Sequence, residues 1–316
     1  MKELLDVLSK EEKAAFTLRS LYANYGYSQY KMSKFEEYDL YVKNKDFLVS
    51  ESVITFTDTD GKLMALKPDV TLSIIKNSKD LEGKVMKVYY NENVYRVSKG
   101  TLSFKEIMQA GLECLGEVDN EIISEALFLA VKSLEVISSS SALEISNLDL
   151  VSEVINEFNL SYLAREEILR YLGDKNLQGI TYVCEREGLS SEQTALMQKL
   201  VTVYGSTSKV LPLLKDFCIN EASTNAVNQF TSIIKNLESK GVADKIFIDF
   251  SVVNDMKYYN GLAFKGFVEG VPVSIISGGQ YDKLMNKMGK KSKAVGFAVY
   301  LDEISKVPNI SKGGNL

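Results

Sequence analysis

The sequence predicts an α+β fold, an antiparallel sheet flanked by helices with a helical insertion, and three observations carry that prediction. Two long alternating stretches, 85–96 and 104–115, face each other across a short loop. A stretch of helical pattern without chemical motifs fills about 151–241, with Gly173 and Gly188 as stops and Ser190 to Glu192 as a start. Strand-like runs resume at Lys245 and continue to Asp302. The parts 1–150 and 242–305 are therefore expected to form one core, into which 151–241 is inserted.

The chain opens on a capping box. In Ser9-Lys-Glu-Glu12 the serine oxygen and the Glu12 carboxylate satisfy free backbone donors at a helix start, and Ala14, Ala15, Phe16, Leu18, Leu21, Tyr22 and Tyr25 supply the apolar face. Gly26 ends that helix. Phe35 to Tyr41 reads as a second short helix. Val53–Phe56 and Lys62–Leu66 flank Asp58-Thr-Asp-Gly61, a hairpin signal because Asp-Gly tolerates the positive φ of a tight turn. The hairpin delivers Lys67-Pro-Asp-Val-Thr71, where Pro68 suits the first turn of a helix through Leu72, Ile74 and Ile75. Asp69 is favoured beside that helix's positive end, a role that by itself suffices to explain it.

In the second long strand, the period of two puts Gln109, Gly111 and Glu113 on one face and Met108, Ala110, Leu112 and Cys114 on the other. Two polar residues flanking a glycine build a concave polar site; an antiparallel sheet with a wet outer face gives the same alternation. Asp119 starts a helix to Ile137, Ser138 to Ser141 form a polar break, and Leu143 to Leu148 reads as a strand. Lys245 to Ser251 is a buried strand, and Tyr258-Tyr-Asn-Gly261 gives two aromatics and a turn residue. Val271 to Ile276 is a strand ending in Ser277-Gly-Gly-Gln-Tyr-Asp282, where adjacent glycines let the backbone bend sharply and lie close to a small ligand. Taken alone, such a turn is more often plain structure. Ala294 to Asp302 packs back onto the sheet.

Composition removes several classes of chemistry. The net charge of −5 and pI near 5.2 omit the broad basic footprint of a nucleic-acid binder, so no nucleic acid is expected. Cys114, Cys184 and Cys218 are odd in number, far apart and without histidine company, which indicates neither a disulfide framework nor a metal site. The chain contains no histidine, so Ser-His-Asp and Cys-His pairs and His-ligated metals are impossible. No signal segment and no membrane-spanning run is read, and the expected location is cytoplasmic.

Tyr258-Tyr259 with Gly261, then Ser-Gly-Gly-Gln-Tyr-Asp, then Ala-Val-Gly-Phe-Ala resemble in order and spacing the C-terminal half of the catalytic core of histidyl-tRNA synthetase, a class II aminoacyl-tRNA synthetase. Lys67-Pro-Asp-Val-Thr71 is similar to that family's Arg-Pro-Glu-Gly-Thr segment, and 85–115 to its motif 2. The resemblance implies a histidine site of Asp69 and Thr71 for the α-amino group, Gln109 and Glu113 lining the pocket with Glu113 toward the imidazole, and Tyr258 and Tyr259. Arg96 matches the motif 2 arginine and is a possible anion contact. The resemblance also implies a homodimer through the N-terminal helix and adjoining strand; it stops near Asp302, before any anticodon-binding domain.

Departures from the family bear on function. Asn254 stands where the family has its catalytic arginine, Glu303 where motif 3 has its ATP-binding arginine, and Ser98 where motif 2 has the acid that grips adenine. Each lost charged hydrogen bond costs about 1.5–3 kcal/mol. Asp69 is one methylene shorter than the usual acid, and Lys257 replaces an aspartate. A histidine pocket without ATP chemistry resembles the regulatory subunits of the short-form ATP phosphoribosyltransferase. That resemblance implies a non-catalytic chain with no cofactor, bound to the short catalytic subunit as a homodimer within a hetero-oligomer, with L-histidine as effector. A synthetase paralogue forming an aminoacyl adenylate and a scaffold that no longer binds histidine remain as other readings.

Overall fold

The computed structural model describes residues 7–48, 53–80, 83–98, 101–253, 256 and 258–307. Its N-terminal helix α1 (Lys10–Asn24) starts with the expected capping box, Ser9 and Glu12 exchanging bonds with each other's backbone. Ala14, Ala15, Leu18 and Tyr22 form its buried face. Phe16 and Tyr25 do not belong to that face, since they point away from the stripe that meets the sheet and are 53% and 42% exposed. Strand β1 (Ser28–Gln29) follows. Phe35 to Tyr41 is not one helix: β2 (Phe35–Glu37) pairs with a later strand before α2 (Tyr38–Lys43) begins. Strands β3 (Thr55–Thr57) and β4 (Leu63–Leu66) form the expected hairpin, with Gly61 at φ +81° and the Asp58 carboxylate accepting from the backbone of Asp60 and Lys62.

Helix α3 (Thr71–Asn77) starts three residues later than Pro68 suggests. Asp69 acts at its start, accepting the Leu72 N–H at 2.9 Å. The long hairpin β5 (Val85–Val97) and β6 (Phe104–Gly116) is paired without a break from Val85–Gly116 to Val97–Phe104. Helix α4 (Asn120–Ile137), capped by Asp119, leads to β7 (Ser141–Asn147). The segment 151–241 is helical apart from one strand: α5 (Leu148–Asn156), α6 (Tyr162–Gly173), α7 (Leu177–Arg186) and α8 (Ser191–Thr202) precede β8 (Tyr204–Ser206), and α9 (Thr207–Val210) and α10 (Glu221–Ser239) follow it. Then come β9 (Ile246–Asp249), β10 (Asn260–Val268), β11 (Ile276–Gln280), α11 (Asp282–Lys287), β12 (Lys293–Tyr300) and α12 (Leu301–Ile304).

Among the described residues, nine strands make one sheet in the order β1-β5-β6-β12-β11-β10-β7-β9-β8. The central six are antiparallel throughout; only the β1–β5 and β7–β9 pairings are parallel. Strands β2, β4 and β3 form a separate small sheet. Residues on one face of β6, among them Ala110, Leu112 and Cys114, join α1 and α4 in the large core, which continues without interruption through α6, α7, α8 and α10. The opposite face, with Val88, Tyr90 and Val94 of β5, packs against α3 and α11 in a smaller cluster. Alternation along β6 therefore separates a dry helical face from the face that carries the cavity.

The stretch around Gly278 and Gly279 corrects a sequence expectation. Val271 to Ile275 is not a strand, and the two glycines are not a turn at its end: the strand is Ile276–Gln280, and they are the middle of it, paired on both sides. Glycine is needed for close approach, because a Cβ at Gly278 would lie 2.4 Å from the Phe297 Cβ and one at Gly279 would lie 2.7 Å from the Tyr259 ring. Gly261, at φ +59°, sits in the irregular start of β10.

Candidate functional site

A cavity of about 380 Å³ opens on the face of β5, β6, β12, β11 and β10 that lies away from the large core. Asp69, Thr71, Arg96, Gln109, Glu113, Tyr258 and Tyr259 all line it. Residues far apart in the chain are brought together by four carriers, Arg96 being supplied by β5. The 67–71 segment enters on the hairpin β3–β4, the β6 residues come by alternation, and the two tyrosines precede β10. The buried Lys67, whose ammonium pairs with Glu92 on β5 at 3.0 Å, ties the first carrier to the sheet.

Glu113 lies at the closed end. Its carboxylate accepts from the Thr71 hydroxyl at 2.7 Å and from the Tyr281 hydroxyl at 2.5 Å, one on each oxygen. A carboxylate has about four acceptor positions, so a further donor still finds a place. Gly296 on β12, directly opposite Glu113, makes this geometry possible: a Cβ there would fall 1.6 Å from Glu113 Oε2. Gly111 does the same for the phenol of Tyr90, whose oxygen would be 2.5 Å from an added Cβ. The ring of Tyr258 stands against those of Tyr259 (4.7 Å between centroids), Tyr281 (6.0 Å) and Phe47 (6.4 Å), walling the closed end with aromatic surface.

Electrostatics follow from burial. Loss of water pushes the Glu113 carboxyl up to about 8, against the lowering effect of the Tyr281 and Thr71 hydroxyls. Asp69 is also raised by burial, opposed by the Leu72 N–H and by the Arg96 guanidinium. Arg96 donates through Nε to the Pro68 carbonyl at 3.0 Å, which keeps it beside Asp69. The cavity thus offers two carboxyl groups at one end, both raised by burial, with the Arg96 cation alongside.

A group whose pKa is higher folded than unfolded binds more protons in the folded state, so its stabilisation is complete below the unfolded value and is lost as pH rises through the folded one. The wild type should therefore lose stability relative to Glu113→Gln between about pH 4.5 and 8, by up to about 1.4 kcal/mol per pH unit. Urea denaturation of both proteins across that range measures it. A constant difference between them would show that Glu113 is ionised at neutral pH.

Sequence reasoning missed Tyr281, Tyr90 and Gly296. The first was quoted in its motif but assigned to a turn, and the other two are recognisable only from register, Tyr90 opposite Gly111 and Gly296 opposite Glu113. Of the departures, Glu303 lies on α12, pairs with Lys306 and is not part of the cavity wall. Ser98 donates its N–H to Ser103 at the hairpin end. Asn254 and Lys257 lie outside the described residues.

Among the described residues no cluster suited to a metal ion occurs, and no helix is long and apolar enough to cross a membrane. The family model for histidyl-tRNA synthetase matches residues 3–304. An ATP phosphoribosyltransferase regulatory subunit from Ruminiclostridium cellulolyticum is 27% identical over 95% of this chain and 72% of its own length. Among solved structures, a protein from Bacillus halodurans described as an ATP phosphoribosyltransferase regulatory subunit/histidyl-tRNA synthetase superposes with a TM-score of 0.83 at 21% identity, covering 95% of this chain and 79% of the other. A chain of the HisG:HisZ complex of ATP phosphoribosyltransferase from Thermotoga maritima superposes with a TM-score of 0.71 at 20% identity, covering 93% and 98%. The order of elements, the cavity on the antiparallel sheet and the match over nearly the whole chain agree, and the chain belongs to the histidyl-tRNA synthetase family.

Proposed function

We propose that this chain is a non-catalytic regulatory subunit of ATP phosphoribosyltransferase, bound to the short-form catalytic subunit, needed for its activity, and carrying feedback inhibition by L-histidine. The observation that carries the reading is the closed end of the cavity. Glu113, anchored by Thr71 and Tyr281 and walled by tyrosines, suits a small ring bearing an N–H, while Asp69 and Arg96 suit an ammonium and a carboxylate. Gln109 adds an amide to the cavity wall. The names of the relatives support the partner. Amino-acid activation with ATP is disfavoured because cations must stabilise the transferring phosphates, and Asn254 and Glu303 supply none.

In this reading the chain is one synthetase-like core, 1–150 and 242–305, with its insertion at about 151–241. It works in the cytoplasm without nucleic acid, as a homodimer within the hetero-oligomer; the exposed Phe16 and Tyr25 of the N-terminal helix region belong to the dimer face. One set of measurements tests the whole. L-histidine should give saturable heat in a calorimetric titration, ATP–pyrophosphate exchange should stay at background, and sedimentation with the catalytic subunit should give a complex larger than two chains. Exchange clearly above background would favour the adenylate-forming paralogue. Absence of histidine binding would leave only a scaffold.

A further inference from the structure

A dense basic stretch lies on the outside of the molecule, behind the closed end of the cavity. Residues 283–293 hold five lysines and no acid, in a chain whose net charge is −5. Lys283, Lys287, Lys290 and Lys291 belong to α11 and the turn after it, whereas Lys293 begins β12 and shares a groove with Asp119 and Glu121. Lys283 and Lys287, four positions apart, share one side of the helix, and both are exposed, as is Lys291. A run of lysines is ordinarily just solvated surface, but this one is fixed from behind. Asp80 Oδ1 accepts the N–H groups of Lys291 at 3.2 Å and Ser292 at 3.3 Å and the Ser292 hydroxyl at 2.9 Å. Lys290 gives its N–H to the Met285 carbonyl at 2.9 Å and its ammonium to the Ser78 carbonyl at 2.6 Å. Asp282, the acid at the start of α11, accepts the Ala294 N–H at 2.8 Å. The two adjoining acids thus organise the backbone of the turn.

The other side of α11 is continuous with the pocket. Leu284 and Met285 are buried in the same cluster as Tyr281, the residue before the helix, whose hydroxyl donates to Glu113. The Lys287 ammonium stands 5.2 Å from the centre of the Phe47 ring, and Phe47 meets Tyr258 edge-on. A force on the lysine face therefore reaches two walls of the cavity, through Tyr281 and through Phe47.

We propose that the lysine face of α11 and the turn 288–291 is a docking surface for an acidic segment of the catalytic subunit. It rests on the regulatory-subunit reading and names a surface that reading leaves open. Flexible ammonium groups with three donors each suit carboxylates presented at varied angles, and such charge complementarity speeds and orients association. A nucleic acid is a poorer occupant: residues 283–291 contain no aromatic on which a base could stack, and the negative chain as a whole repels a long polyanion. A partner carboxylate at Lys287 competes with the Phe47 ring for the ammonium. Whatever docking does to ligand affinity in the pocket, the pocket ligand does to docking by the same factor.

Sedimentation of the full chain with the short-form catalytic subunit, in low and moderate salt, tests this. The expected result is association weakened at least ten-fold in the double variant Lys283→Glu/Lys291→Glu and kept within about three-fold of wild type in Lys283→Arg/Lys291→Arg. Wild-type association should fall with added salt, and more steeply than that of the glutamate variant. L-histidine affinity of the isolated glutamate variant should stay within two-fold of wild type, which shows an intact fold; if it does not, Lys283→Gln/Lys291→Gln makes the same comparison. Wild-type association in the charge-altered variants overturns the surface and leaves the partner in place. A wild-type chain that ignores the catalytic subunit removes the regulatory-subunit reading and the surface with it. Binding of a single-stranded DNA oligonucleotide that the glutamate variant loses would make the face a nucleic-acid surface and overturn the proposal.

Discussion

Gly296→Ala should be among the most damaging single substitutions in this chain, costing about 1–3 kcal/mol of stability and removing ligand binding at the closed end of the cavity. The added methyl meets two obstacles. One is Glu113 Oε2 at 1.6 Å, a side-chain atom that can rotate away, but only by giving up its bonds to Thr71 and Tyr281. The other is the Leu112 carbonyl at 2.6 Å, a backbone atom of the neighbouring strand that cannot move without disturbing the β6–β12 pairing. Urea denaturation of Gly296→Ala, Glu113→Ala and the double variant separates the two. If the clash with Glu113 dominates, the double variant will be more stable than the sum of the single losses predicts; if Leu112 dominates, the losses will add. A Gly296→Ala protein that is as stable as wild type and binds histidine normally would refute the close packing of Gly296 against Glu113 and Leu112.

This glycine also shows where the sequence stops being readable. The capping box of α1 and the Asp-Gly hairpin are local signals, and each leads to its element because the bonds involved lie within a few residues, while the long strands are announced by their own alternation. Alternation along β6 was enough to send Gln109 and Glu113 to one face. What alternation could not supply is the neighbour: nothing local to Gly296 says that Glu113 lies opposite, and nothing local to Gly111 says that it faces Tyr90. The glycines of β11 carry the same lesson in reverse. Two adjacent glycines look like a bend, whereas here they allow Phe297 and Tyr259 to pack against a continuous strand. Phe35 to Glu37 became a strand because β4 offered a partner, a tertiary effect that overrides a short helical pattern. The polar face of β6 was ambiguous between wet surface and pocket. The segment 67–71 resolves it by covering that face, which leaves Gln109 and Glu113 only 3% and 2% exposed.

Glu113→Ala should weaken L-histidine binding by about 1.5–3 kcal/mol, roughly ten-fold or more in affinity, while leaving the activity of a reconstituted complex unchanged in the absence of histidine. Two opposing effects keep the fold intact. Truncation leaves the Thr71 and Tyr281 hydroxyls without their acceptor, at about 1–3 kcal/mol for each group that finds no substitute. It also removes a buried acid that is costly to ionise at neutral pH. Glu113→Gln, which retains an acceptor for one hydroxyl, serves as the conservative control and should fall between the wild type and the alanine variant. Inhibition of a distant catalytic subunit requires that histidine bind one state of the complex more tightly than the other, typically by about 1–3 kcal/mol. Weakening histidine equally in both states moves the inhibition curve to higher concentration without altering the maximal rate. The measurement is the histidine concentration for half-inhibition in complexes built from each variant. Inhibition of the Glu113→Ala complex at wild-type histidine concentrations would place the effector somewhere other than this cavity. A lowered maximal rate with an unmoved curve would mean that Glu113 supports the subunit interface instead.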